Sequence, residues 1–307
     1  MKTLSGDAVF PFAFGAMQFG ARADARASAE MYQSCRAAGI VHFDTAHGYT
    51  GGASEEILGR LAAPERERVF VATKAGYTGG AGRDNILATF DISRKRLGMD
   101  VVDLLYMHRF DDATPLAETI ETLAGLQQAG KIRHIGVSNY AAWQVMKAQA
   151  LAVSLGTRID VIQPMYNLVK RQAEVEILPM CASEAITAVP YSPLGGGLLT
   201  GKYASGGTGR LTEDDRYAAR YGQPFMHMAA QGLAALGARI GTDPATLAVA
   251  WVAAHPARPH PILSARSAAQ LRASLDGMRF PMDAGLYAEI AALSPTPPPA
   301  TDRIEEQ

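Results

Sequence analysis

The chain has 307 residues, with 29 Lys+Arg against 30 Asp+Glu and a formal net charge of -1. That balance excludes a protein that lives on phosphate neutralisation along a nucleic acid, while leaving room for a local basic pocket. Hydrophobic residues make up 48% and charged residues 19%, proportions of a globular chain that buries a large core without disulfide or metal staples.

The N-terminal segment MKTLSGDAVFPF has one lysine and no long apolar run, unlike a signal peptide. No stretch of about twenty apolar residues follows, so a cytoplasmic protein without a membrane span is expected. Short apolar or β-branched runs then recur: FAFGAM (12–17), VHFD (41–44), VFVATK (69–74), VDLLYMH (102–108), IRHIGVS (132–138), VIQPM (161–165), ITAVPYS (186–192) and HPILS (260–264). Such continuous runs suit strands buried on both faces of a parallel sheet.

The segments between them read as helices. SEEILGRLA offers Ser54 as N-cap, acidic residues in the first turn and Ile57, Leu58 and Leu61 on one side. TPLAETIETLAGLQQAG places Thr114 as N-cap and Pro115 at the first helical position, with Leu116, Ile120 and Leu123 at helical spacing and Gly130 as stop. SAAQLRASLDG opens with Ser267 and Gln270 at capping-box spacing. Eight such units in one chain predict a single-domain α/β fold, a (β/α)8 TIM barrel over residues 1–307 with its core at about 10–280; an open doubly wound sheet is the structural rival. The connection PLGGGLLTGKYASGGTGRLTEDDRYAARYGQP is longer than a compact barrel needs, which points to a lid or binding loop. The Pro-rich, charged tail 294–307 is expected to be flexible.

Several chemistries lack their motifs. No GxGxxG follows a strand, no GxSxG or HExxH occurs, and GGLLTGKY has Tyr203 where a P-loop needs Ser or Thr. Cys35 and Cys181 stand apart from each other and from any His cluster, so two buried free thiols and no metal are expected. Chemistry in a (β/α)8 barrel sits at the C-terminal ends of the strands. Those ends carry Asp44, Lys74, His108, Ser138, Asn139, Gln163 and Tyr191, with Tyr49 in the loop after Asp44. A lysine ending VFVAT needs a buried partner, and Asp44 is the natural one. A tyrosine beside that ammonium should have its pKa lowered from about 10, giving an acid able to protonate a carbonyl oxygen, to which His108 could also donate a hydrogen bond.

The segments FDTAHGYTGGASEEILGRL, VATKAG, LLYMHRFD, GKIRHIGVSNY and YSPLGGGLLTGKY, in that order and spacing, resemble the signatures of the aldo-keto reductase superfamily from about residue 10 to about residue 280. The resemblance implies a barrel that binds NADP(H) without a Rossmann fold and moves a hydride between nicotinamide and an aldehyde or ketone. It implies a catalytic tetrad of Asp44, Tyr49, Lys74 and His108, with Tyr49 as proton donor. Ser138, Asn139 and Gln163 match residues that hold the nicotinamide carboxamide, and Tyr191 matches the ring that stacks on nicotinamide. The loop 192–201 would lie over the pyrophosphate, with Ser192, Leu194, Gly197 and Lys202 as cofactor contacts. The segment PILSARSAAQL matches the adenosine 2′-phosphate site, with Ser264, Arg266 and Gln270 as contacts. Arg266 also precedes a helix N-terminus whose free amides attract anions. The family usually has Gly at the position of Ser264 and Glu-Asn at Ala273 and Ser274.

The expected partner is thus a small carbonyl or alcohol substrate, with neither nucleic acid nor membrane. The same resemblance includes redox-sensing channel β subunits and dedicated sugar or pyridoxal dehydrogenases, which remain alternatives. Met17 and Tyr77 are candidates for the substrate wall. Arg109 and Asp111 are expected to interact locally, and Trp143 and Trp251 to pack in the core. Apart from His108, the histidines are expected to be packing or surface groups, with His47 nearest to Tyr49 in sequence.

Overall fold

The computed structural model describes residues 1–303 and Glu305, excepting the Ser205 side chain; residues 304, 306 and 307 of the predicted flexible tail lie outside the described residues. The strands are β1 (Ala13–Gly15), β2 (His42–Asp44), β3 (Phe70–Ala75), β4 (Val102–Met107), β5 (Ile132–Ser138), β6 (Val161–Gln163), β7 (Thr187–Ala188) and β8 (Ile262–Leu263). All of their pairings are parallel, in the order β7-β6-β5-β4-β3-β2-β1-β8. The ring closes where the His260 amide donates to the Ala188 carbonyl at 2.8 Å and the Ile262 amide to the Pro190 carbonyl at 2.9 Å. Strand order that follows chain order, joined end to end, is a (β/α)8 barrel; a doubly wound sheet reverses its order part-way.

Each predicted strand is present, and several are shorter than their apolar runs. Pro164 and Pro190 cannot donate to a ladder, so β6 and β7 stop early. Side chains alternate with period two along each strand. Phe70, Ala72, Leu104, Tyr106 and Val161 fill the barrel interior, whereas Val71, Leu105, Met107, Val137 and Ile162 face the helical layer. The Tyr106 ring fits inside because Gly136 opposes it: a Cβ there would lie 2.5 Å from the ring. Lys74 continues the inward phase of Phe70 and Ala72, which is what sends an ammonium toward the barrel axis.

Two predicted helix starts shift. Helix Ala53–Ala62 is capped by Gly52, while the Ser54 hydroxyl turns inward to donate to the Ala16 carbonyl at 2.8 Å. Helix Leu116–Gln128 has Pro115 at its N-cap, because Thr114 donates its hydroxyl to Asp111 instead. Ser267 caps helix Ala268–Gly277 as expected, accepting from the Gln270 amide at 3.3 Å. The long β7–β8 connection folds into short helical turns, ending in Arg210–Glu213 and Asp215–Tyr221 before helix Pro224–Ile240. Trp251 is fully buried, but Trp143 is 57% exposed on its helix and not in the core. Cys35 and Cys181 are buried and unbridged. Among the described residues no helix is long and apolar enough to cross a membrane.

Candidate active site

The inward phase of adjacent strands brings the polar strand ends together. Lys74 Nζ donates to Asp44 Oδ1 and, at 2.8 Å, to the Thr45 carbonyl. The side chains of this pair are 0% and 4% exposed. Gln163 Nε2 donates to the other Asp44 oxygen at 2.9 Å, and Ser138 Oγ donates to the Gln163 carbonyl at 3.0 Å. Asn139 Nδ2 donates to the His108 carbonyl at 2.9 Å, and the Tyr191 hydroxyl donates to Asn139 Oδ1 at 2.8 Å. One polar chain thus runs from Lys74 to Tyr191 across the top of the barrel. Asn139 and the following loop residue Ser192 adopt positive φ values of 56° and 61°, left-handed conformations that these fixed contacts maintain.

Tyr49 completes the cluster from outside the strands. Its ring centre lies 5.1 Å from Lys74 Nζ, and the His108 ring meets it edge-on at 5.7 Å. The loop that carries it turns through Thr50, Gly51 and Gly52 at φ of 50°, 65° and 105°. Thr50 is strained there by roughly 1 kcal/mol, offset as its hydroxyl donates to the Phe19 carbonyl and accepts from the Ser54 amide, each at 2.9 Å. Arg96 braces the same turn by donating to the His47 carbonyl at 2.9 Å and pairing with the buried Glu55 at 3.3 Å. A side chain at Gly52 would strike that guanidinium, with its Cβ 2.4 Å from Cζ. His47 therefore lies beside Arg96 and Ser93.

The electrostatics divide the roles. Burial pushes the Lys74 ammonium below its ordinary value, and the Asp44 carboxylate pulls it back up. Burial, then the charges of Lys74 and Arg109, hold His108 down at about 3, so its ring is neutral at physiological pH. His108 Nδ1 is buried without a partner. The tautomer that avoids a buried unpaired N–H carries its proton on Nε2. Tyr49 behaves opposite to expectation: burial, then the Asp44 carboxylate, raise its phenol above the ordinary value. Desolvation leads, and Asp44, which holds the Lys74 ammonium, adds its negative charge on the phenol, so the ammonium does not lower it. The phenol therefore stays protonated at physiological pH, and a phenolate formed there would lie beside the Lys74 ammonium, whose Nζ is 5.1 Å from the ring centre.

A second cluster lies at the β8 end. Arg266 donates its amide to Gln270 Oε1 at 2.9 Å and directs its guanidinium to Glu213 at 3.5 Å. Arg22, after β1, reaches the same Glu213 oxygen at 2.7 Å. Glu213 thereby ties the long connection to loops at both β1 and β8. Ser264 Oγ is buried without a partner beside this cluster. Gly195, Gly196 and Gly197 take φ of 56°, 66° and 99°, and a Cβ at Gly196 would lie 2.8 Å from the Tyr217 ring. Lys202 rests its ammonium 4.8 Å from the Tyr203 ring centre. Arg109 stacks on Tyr77 at 5.1 Å, while Asp111 binds Thr114 and the Ala81 amide. Glu55, Arg96, Arg22 and Glu213 were not singled out in the sequence; their partners lie tens of residues away, beyond any local spacing rule.

A family model described as the aldo/keto reductase family matches residues 11–295. The chain belongs to the aldo/keto reductase family. It is therefore an oxidoreductase of small carbonyl compounds that works with a nicotinamide cofactor, NAD(P)H. Among curated relatives of this aldo/keto reductase, a "Probable voltage-gated potassium channel subunit beta" of Oryza sativa subsp. japonica is 33% identical over 276 residues, 82% of each chain. An "Aflatoxin B1 aldehyde reductase member 2" of Rattus norvegicus is 40% identical over 195 residues, 62% of this chain and 53% of that protein. An "L-glyceraldehyde 3-phosphate reductase" of Escherichia coli O157:H7 is 36% identical over 192 residues, 58% of this chain and 54% of that protein.

Proposed function

We propose that this chain is an NADP(H)-dependent reductase of aldehydes or ketones whose proton donor is Tyr49. The carrying observation is the convergence of Tyr49, the buried Lys74–Asp44 pair and a neutral His108 at one strand end. The residues fit a dinucleotide: Ser264 Oγ is an orphaned buried hydroxyl, three successive positive-φ glycines follow Leu194 with Lys202 against the last of them, and Arg22 and Arg266 converge on one anion position. Ser138, Asn139, Gln163 and Tyr191 would hold the nicotinamide end. Ser192, Leu194, Gly197 and Lys202 would hold the pyrophosphate, and Ser264, Arg266 and Gln270 the phosphorylated ribose. The bound cofactor supplies or accepts the hydride. His108 Nε2–H donates a hydrogen bond to the carbonyl oxygen and orients it. Tyr49 passes its phenolic proton to that oxygen as negative charge develops. Lys74 stabilises the resulting phenolate, and Asp44 holds Lys74 in place. The same groups run the reaction in the alcohol direction.

Tyr49→Phe tests the assignment. NADPH oxidation with an aldehyde panel should fall by about a hundredfold or more, while cofactor binding, read by fluorescence, persists. Retained turnover would remove Tyr49 from the mechanism. The rice relative's name favours one second reading, a cofactor-bound partner of a channel. Tight cofactor binding without turnover of any carbonyl would support it.

A further inference from the structure

Three arginines, Arg109, Arg210 and Arg220, lie on aromatic rings around Tyr49 and His108. Arg109 rests 5.1 Å from the centre of the Tyr77 ring, and that ring lies 4.9 Å from His108. From the long connection, Tyr217 is flanked by Arg210 at 5.1 Å and Arg220 at 5.2 Å, and Arg210 donates to its hydroxyl at 3.1 Å. These groups act on the reaction centre: Arg210 and Tyr217 on Tyr49, Arg220 on Tyr191, and Arg109 on His108.

The carboxylates nearest in sequence to these arginines already have partners. Glu213 pairs with Arg22 and Arg266, Asp214 with Arg216, and Asp111 bonds Thr114 and the Ala81 amide. Among the described residues, Arg210 and Arg220 meet an aromatic ring and form no ion pair with a carboxylate, while Arg109 lies over Tyr77 and its charge also acts on Asp111. The chain as a whole carries a net charge of -1, so this excess is local. Guanidiniums laid on rings keep their N–H edges free, and those edges match carboxylate and phosphate oxygens.

We propose that the substrate is an anionic carbonyl compound, a short aldehyde with a carboxylate or phosphate at its far end, and that Arg220 and Arg109 hold that end. Arg210 is a positioning residue that fixes Tyr217. The inference rests on the reductase reading and adds the substrate class to it. An anion at the arginines leaves its carbonyl end to reach down to His108 and Tyr49.

The test uses the full chain with NADPH. Turnover is compared between a four-carbon aldehyde bearing a terminal carboxylate, its uncharged amide, and a three-carbon phosphorylated aldehyde. A four-carbon dicarboxylate is titrated calorimetrically as a non-reducible probe. Arg220→Ala and Arg109→Ala should each lower kcat/KM for the charged aldehydes about tenfold to a hundredfold more than for the amide, the range set by hydrogen bonds to charged groups. The loss should appear chiefly in KM, and Arg220→Lys should recover part of it. The better of the two charged aldehydes identifies the anion. Equal losses on charged and uncharged substrates overturn the proposal. So does a rise in the NADPH dissociation constant that accounts for the loss, which would give these arginines to the cofactor. If no aldehyde turns over, yet the dicarboxylate binds and Arg220→Ala abolishes that binding, the anion site stands and the reductase reading falls. Turnover with no preference for charged aldehydes keeps the reductase reading and removes the anion site.

Discussion

Replacing Lys74 by Met separates the stability of the buried pair from its proposed chemistry. The ammonium and carboxylate are 0% and 4% exposed, so water cannot enter to replace the lost partner. Asp44 would keep one hydrogen bond, from Gln163 Nε2 at 2.9 Å, and the Thr45 carbonyl would lose its donor. Removing one member of a buried ion pair costs about 3–5 kcal/mol, and the orphaned carbonyl adds about 1 kcal/mol. The single variant should lower the urea midpoint sharply. The double variant Asp44→Asn with Lys74→Met removes both charges and should recover most of that loss, since the neutral pair has little desolvation to overcome. Turnover should behave differently: both variants should lose about a hundredfold or more in kcat, because a phenolate at Tyr49 no longer has a cation beside it. Urea unfolding and NADPH oxidation, measured on the same preparations, read the two effects. A single variant with turnover within about threefold of the parent, or a double variant no more stable than the single, would refute the reasoning.

Other expectations follow from the same structure. Arg266→Ala should weaken NADPH binding about tenfold or more while changing NADH little, given the strength of an arginine–phosphate pair; equal effects on both would place the phosphate elsewhere. Glu213→Gln should speed cofactor release severalfold, about what two half-exposed ion pairs can hold, in stopped-flow fluorescence; an unchanged rate would mean that Glu213 does not fasten the loop. His42 and His260 are depressed by burial to about 3 and about 4. Their folded values lie below the unfolded value of about 6.5, so stability is full above that pH and falls as pH drops towards the folded values. At pH 5 each should cost about 2 kcal/mol, and His42→Leu should flatten the acid limb of a stability–pH curve; an unaltered slope would exclude His42 from it.

The alternation of apolar runs and capped segments was enough to read the barrel, because strand and helix periods are local properties. The strand-end residues of the site were legible for the same reason: inward phase plus parallel order places Asp44, Lys74, His108, Ser138 and Gln163 at one end. Local reading failed at Ser54 and Thr114, where a distant carbonyl or carboxylate captured the hydroxyl expected to cap a helix. It also failed at Trp143, whose helix turns it to solvent.

The sequence by itself determined the family, the (β/α)8 architecture and the convergence of polar strand ends, since each follows from residue order and short-range periodicity. The tertiary structure alone decided the electrostatics. Asp44 reaches Lys74 and Gln163 together, so the ammonium that was to lower the Tyr49 pKa is already compensated, and burial raises it instead. Tertiary structure also decided the bracing of the Tyr49 turn by Arg96 and the tie of Glu213 to Arg22 and Arg266. Charges act through space over a few ångströms, and which charges come that close is settled only when distant segments pack.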